Sequence, residues 1–462
     1  MSRSAAIAAA RATFDRGDFI ADLARRVAYR TESQEQGRQA ELLTYLTGEI
    51  QPLLERMGFA CTLFDNPKAG GGPFLYAERM EDPAAVTVLS YGHGDVIRGL
   101  DSQWRSGLSP WTLKQEGDRL YGRGTADNKG QHSINLTALD CVLKTRGRLG
   151  FNVKLILETG EEVGSPGLAE FCEREKQRLK ADVLIASDGP RVSPTRPTVF
   201  LGSRGALNFD LTVDLRAGGH HSGNWGGLLA NPAIILAHAL ATLTSAKGEI
   251  RLPEWRPKEI PPAVRSALRD LNVDGGEDAP AMDPSWGEPG LSAPEKVYGF
   301  NSFEILALAA GNPENPVNAI PPRASAHCQI RFTTDTDPET FLPALERHLA
   351  GRGFAQVQVR RSPKGFLRAS RTSPDHPWVQ WAVESLTRTT DKKPAVLPNL
   401  GGSLPNDIFT DGLGLPTLWI PHSYASCSQH APNEHLLGSL AREGLEMMAG
   451  LFWDLGESPP KR

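Results

Sequence analysis

Two adjacent carboxylates, Glu161 and Glu162, lie in the stretch LILETGEEVGSPG at residues 155–167, just after an apolar run. Neighbouring side chains at a strand end need not point the same way, so one could hold a metal while the other moves a proton on water. A lone Glu-Glu pair is also ordinary acidic-loop chemistry. Three other apolar runs lead into similar groups: His93 and Asp95 in GHGDV, Asp188 in ASDGP, and His422, His430 and His435 after LPTLWI. His93 could bind a metal while Asp95 accepts a hydrogen bond from its other ring nitrogen. Asp127, in GRGTADNKGQ, sits in a glycine-punctuated loop that enters a helix, where a carboxylate could bridge two ions. Each has a plainer alternative. Gly-His-Gly-Asp and Asp-Gly-Pro are turn sequences, and Asp127 could be a helix N-cap. GRG lacks the spacing of a phosphate loop, and the Cys427-x-x-His430 pair has no second pair to form a zinc finger.

The set is more specific than its members. Two histidines, three carboxylates and a spare glutamate, all at strand ends, match a two-metal hydrolytic site. Oxygen and imidazole ligands suit Zn, with Mn or Co as alternatives. Asp127, Glu162 and Asp188 supply three negative charges against four from two divalent ions; a hydroxide would balance the charge.

The elements that must position these residues follow from hydrophobic patterning. Residues 84–91, 151–157, 182–186 and 415–420 are continuous apolar runs, as expected of strands buried on both faces. Helical patterns such as HSINLTALDCVLKT and GLAEFCEREKQRL alternate with them, which predicts an α/β fold with a mixed, largely parallel sheet flanked by helices. Ligands of such sheets gather beyond the carboxyl ends of the strands. Residues 18–60 read as helical, with Pro52 expected to interrupt or kink the second segment. From about residue 204 the order becomes strand, helix, strand, strand, helix, strand, a ferredoxin-like unit. Asn231 and Asp337 are the expected helix caps. A Pro-, Glu- and Trp-containing insertion at about 246–300 interrupts this unit. The expected division is a catalytic domain at 1–203 and 372–462, with an inserted α+β lid at 204–371.

At 462 residues the chain is long enough for two or three domains. A net charge of −4 without a basic stripe gives no case for nucleic acid as a partner. No run approaches a membrane span. Five scattered cysteines make no disulfide framework and predict a reducing, cytoplasmic compartment.

In their order along the chain, GHGDV, GRGTADNKG, ETGEEVGSPG, SDGP, HHSGNWGG, NAIPPRA, GGSLP and HAPNEH resemble the dinuclear zinc exopeptidase and deacylase family. That family includes carnosinase-like dipeptidases, aminoacylase, carboxypeptidase G and succinyl-diaminopimelate desuccinylase. The resemblance implies that His93 and Asp188 belong to one ion and Glu162 and His430 to the other, with Asp127 bridging. It implies Glu161 as general base, acting on a water activated between two zinc ions, and Asp95 as the carboxylate behind His93. His221 would be the lid histidine that stabilises the oxyanion in the partner subunit of a homodimer. Asn318, Arg331, Gly402 and Ser403 match substrate-binding positions, with Arg331 shaped to grip a free carboxylate. In total length and the insertion the chain looks more like the carnosinase-like peptidases than the shorter deacylases, which implies dipeptides or similar small amides with a free carboxylate. An N-acyl amino acid deacylase is the alternative within the family. A non-catalytic metal-binding scaffold is the alternative outside it, against which the intact Glu161 counts. Ile97 and Arg98 after GHGDV and Asn128 after Asp127 depart from the family pattern, and both departures are expected to bear on substrate preference.

Overall fold

The four apolar runs that lead into candidate ligands are neighbours in one sheet. In the computed structural model, which describes residues 2–273 and 280–460, strands Asn152–Glu158, Thr87–His93, Val183–Ala186 and Thr417–Trp419 lie side by side and parallel. Every residue in them is buried, which is why they read as unbroken apolar runs rather than alternating ones. Antiparallel pairing appears only towards the flanks. Phe74–Arg79 runs against Asn152–Glu158 and carries Ala60–Phe64 at one edge. On the other side Thr198–Phe200 meets Thr417–Trp419 antiparallel and carries Ala395–Leu397 parallel. Helices cover both faces. Arg3–Asp15, Lys129–Arg146 and Gly438–Leu455 pack through Ala6, Ala10, Ile134, Val142, Leu445 and Met448 on one side. Leu168–Arg174 and Pro262–Leu268 pack through Phe171 and Val264 on the other.

Pro52 does not break its helix. The chain stays helical from Gln39 to Arg56, and Tyr45–Ile50 forms a π-helical turn just ahead of the proline. Such a turn relaxes the bonding register, and a proline in the turn that follows needs no N–H of its own. The helix starting at Leu168 ends at Arg174, shorter than its pattern predicts.

The second sheet has the order Ser302–Ala310, Arg323–Phe332, Gly205–Asp214, Gln358–Leu367, all antiparallel. This is the ferredoxin-like arrangement. Its two central strands alternate buried and partly exposed residues, because only one face is covered. Phe209, Leu211, Cys328 and Ile330 pack under helices Pro232–Ala241 and Phe341–Gly351. Asn231 caps the first of these through the Ala233 N–H, and Asp337 accepts from the Glu339 N–H ahead of the second. The opposite face presents Asn208, Asp210, His327, Gln329 and Arg331. The insertion contributes the short helix Pro262–Leu268 to the large sheet; its residues 274–279 lie outside the described ones.

The chain enters and leaves the second sheet side by side, since Gly202–Ser203 pairs with Ser370–Arg371. A Cβ on Gly202 would fall 1.9 Å from the Ser370 carbonyl oxygen, so this crossing requires glycine. Among the described residues no helix is long and apolar enough to cross a membrane.

Candidate active site

At the carboxyl ends of the parallel strands, two three-residue sets share one carboxylate. Ligand atoms of His93, Asp127 and Asp188 lie within 4.8 Å of one another, and so do those of Asp127, Glu162 and His430. His93 Nε2 is 3.0 Å from Asp127 Oδ1 and 3.6 Å from Asp188 Oδ2. His430 Nε2 is 3.0 Å from Asp127 Oδ2 and 3.1 Å from Glu162 Oε2. All five candidate ligands thus converge, with Asp127 between the two histidines.

Local structure explains the convergence. His93 ends its strand opposite Glu158, which places the Glu161–Val163 turn beside it. Asp95 secures both: its carboxylate accepts the N–H groups of Glu161 and Glu162 at 3.2 and 3.1 Å, and its Oδ1 lies 3.4 Å from His93 Nδ1. The Asp95 carbonyl oxygen is 3.1 Å from the same nitrogen. His93 therefore presents Nε2 to two carboxylates. The ring either donates to Asp127 as an imidazolium or, neutral with its N–H on the Nδ1 side, turns a lone pair towards a cation held between it and those carboxylates. Asp188 Oδ2, buried and without a hydrogen-bond partner in the described structure, points the same way. The donor set of imidazole nitrogens and carboxylate oxygens fits divalent cations such as zinc.

The electrostatics are those of crowded, desolvated anions. Burial and the Asp127 charge push Asp188 up to about 6 and Glu162 up to about 7. Burial drives Glu161 well above the usual carboxylate range. For Asp127 burial acts upward, but hydrogen bonds from His430 and His93 outweigh it and hold the carboxyl low. Hydrogen bonds to Asp127 and Glu162 raise His430 to about 10.

The other histidines of the His430 loop are engaged elsewhere. His435 lies in a strand paired with Arg119–Tyr121 and binds the Tyr424 hydroxyl at 2.6 Å. His422 is buried against Gly444. Cys427 is buried, its thiol pushed up to about 12 by burial. The two departures from the family pattern lie in different surroundings. Asn128 is fully buried behind the ligands, donating to the Ser187 carbonyl and accepting at His132 Nδ1. Arg98 is exposed and paired with Glu35. Asn128 also hydrogen-bonds Asp188 through its side chain, whereas Arg98 has no described contact with the candidate ligands.

The candidate substrate residues form two separate groups. Arg331 Nη1 donates to Ser403 Oγ at 2.8 Å, beside Gly402. His221 lies in a two-residue strand paired with Ala319–Ile320, and the Asn318 carbonyl accepts the Ser222 N–H at 2.9 Å. Both His221 and Asn318 are exposed.

Glu434 carries a role that the sequence reading missed. It is buried, and its carboxylate accepts the N–H groups of Gly124, Ala126 and Asp127 at 2.9–3.1 Å and pairs with Arg123 at 2.8 Å. It ties the Asp127 loop to the His430 loop. Gln429 adds a bond to Asp127 Oδ2 at 2.6 Å. The acidic residue next to Asn433 in HAPNEH was the available signal.

A family model described as peptidase family M20/M25/M40 matches residues 89–454. The Beta-Ala-His dipeptidase of Mus musculus is 36% identical over 401 residues, covering 83% of this chain and 80% of the relative. The Cys-Gly metallodipeptidase DUG1 of Candida albicans is 24% identical over 478 residues, covering 95% of each. Among solved structures, human carnosine dipeptidase 1 superimposes with a TM-score of 0.76 at 22% identity, covering 98% of this chain and 99% of that one. The M20 family metallo-carboxypeptidase Sso-CP2 of Sulfolobus solfataricus gives 0.77 at 25% identity, covering 95% and 99%. With the extent of the family match and the identity to the mouse relative, the chain belongs to peptidase family M20/M25/M40.

Proposed function

We propose that this protein is a dinuclear metal-dependent dipeptidase that hydrolyses the amide bond of dipeptides or similar small substrates bearing a free carboxylate. The observation that carries the reading is Asp127 standing between two otherwise separate ligand sets. The names of relatives that act on Beta-Ala-His and Cys-Gly support the dipeptide class. His93 and Asp188 would hold one ion, Glu162 and His430 the other, and Asp127 both. Zinc is the proposed metal, with manganese or cobalt as alternatives. When bound, the ions supply Lewis acidity, which lowers the pKa of water and polarises a carbonyl.

The chain's own residues do the rest. Glu161, its backbone fixed by Asp95, takes a proton from the attacking water on its carboxylate and delivers it to the leaving amine nitrogen. Burial beside other carboxylates raises its affinity for that proton, as a shuttle requires. Asp95 orients His93. The partner subunit's His221 donates to the carbonyl oxygen as negative charge develops there. Arg331 and Ser403, with Gly402 and Asn318, hold the substrate.

Residues 1–203 and 372–462 form the proposed catalytic unit, and residues 204–371 a lid and dimerisation unit. Homodimerisation is supported by the edge strand Ser302–Ala310, whose residues Glu304–Ala310 are all exposed. Leu306 and Leu308 lie on that strand, and Trp225, Leu228 and Val317 stand exposed near His221 and Asn318 in the chain. An unpaired apolar edge is normally covered. Five free cysteines support a cytoplasmic location.

A panel of dipeptides set against N-acyl amino acids tests the substrate class. The expected result is at least tenfold higher kcat/KM on dipeptides; the reverse order would assign a deacylase instead.

A further inference from the structure

Four arginines are buried among the described residues: Arg26, Arg123, Arg191 and Arg204. Arg26 pairs with Glu49, Arg123 with Glu434 and Arg191 with Glu443. Arg204, only 8% exposed, has no such partner. Its Nε and Nη2 donate to the Gly401 carbonyl oxygen at 3.1 and 3.0 Å. Arg331 is similar. Its described acceptors are Ser403 Oγ at 2.8 Å and Gln329 Oε1 at 2.9 Å, both neutral.

The two guanidinium groups meet at one turn. Ser403 Oγ accepts from Arg331 and donates to the Arg204 carbonyl at 2.7 Å, while the Arg204 side chain holds Gly401. Burial, and then the like charge of Arg331, push Arg204 down to about 10. Arg204 is buried and Arg331 half-buried, neither is neutralised by a direct ion pair among the described residues and Glu304 acts on Arg204 only through space, so an anion between the two guanidinium groups lowers the cost of holding them together. Arg204 is not sealed off. It lines a cavity of about 690 Å³ with Val297, Ser302 and Glu304. Glu304 forms no ion pair with it among the described residues. Ser302, which lines the cavity, is the register partner of Arg331, so these two side chains lie on one face of the second sheet.

We propose that Arg204 is a second carboxylate-recognising residue. Arg204 and Arg331 receive the substrate's terminal carboxylate from either side of the Gly401–Ser403 turn, which makes that carboxylate a requirement for binding. The inference rests on the dipeptidase reading and deepens it. Nothing in GSRG marks the arginine, because its place beside Arg331 arises only where the chain crosses between the two sheets.

The test uses the full-length, metal-loaded enzyme with a hydrolysed dipeptide and the C-terminal amide of the same dipeptide. The parent should favour the free acid. In Arg204→Met the acid-to-amide ratio of kcat/KM should fall about 10- to 100-fold, the loss residing in KM for the acid while the amide's kcat stays near parent. Arg204→Lys, which keeps the charge without the fork, should retain part of the ratio and covers the case in which the methionine variant does not fold. An unchanged ratio in the variants, or an equal fall of kcat on both substrates, would show that Arg204 only props up the turn and would overturn the proposal. A parent that cleaves acid and amide equally would contradict carboxylate recognition as a whole, Arg331 included. A parent that cleaves no dipeptide would contradict the underlying reading.

Discussion

Around Asp127 nearly every polar atom is held by a neighbour, whereas His221, in the strand pair of His220–His221 and Ala319–Ile320, stands exposed. His93, Asp127, Asp188 and Glu162 have almost fully buried side chains, fixed by Asp95, Glu434 and Gln429. His221 has no described hydrogen bond through its ring, and Leu228 and Val317 near it are 77% and 72% exposed. In the proposed function, the contrast is between a half-site that one chain preorganises and a half-site that a second copy completes. Geometry for charge and proton transfer has to be in place before substrate arrives. A residue delivered by a partner can stay exposed until the partner is there.

Four variants break or sharpen this contrast. Glu161→Ala should keep both metals by elemental analysis yet lower kcat by about 10²–10⁴-fold. A near-parent rate would remove Glu161 from the proton path. Glu434→Ala strikes the preorganised half without touching a ligand. It strands Arg123 and three N–H groups, so denaturant unfolding should show a loss of about 3–5 kcal/mol, with weaker metal retention. Unchanged stability would mean that Asp127 is held by other means. His221→Ala strikes the exposed half and should lower kcat by about 10²–10³-fold with stability and metal content intact. Mixed with Glu161→Ala, it should regain activity, because one hybrid site then has both residues; mixtures that stay inactive would refute the shared site. Arg98→Ala lies outside both halves and should leave kcat/KM within about twofold and stability within about 0.5 kcal/mol.

The preorganised half was far more legible in the sequence than the other. Thr87–His93 and Asn152–Glu158 are buried on both faces, so their apolar runs announce parallel strands, and candidate ligands follow at their ends. Asn231 and Asp337 declared their helix caps. Residues whose role comes from long-range packing were not legible. Glu434 acts on N–H groups some 310 positions earlier, and no local pattern encodes that. Asn128 adjoins Asp127 in sequence, but its bonds to Ser187, His132 and Asp188 arise only from the fold. Pro52 is expected to interrupt or kink its helix, and the chain instead stays helical through it with a π-helical turn just before.

The central claim is that two ions held through Asp127 make this protein a dipeptide hydrolase. Stripping the protein with a chelator and titrating zinc back, with binding and dipeptide turnover followed in parallel, tests it most directly. The account predicts two equivalents bound and hydrolysis that is absent in the stripped protein and returns as both sites fill. Two equivalents bound with no turnover on any amide, or full turnover in the stripped protein, would contradict it.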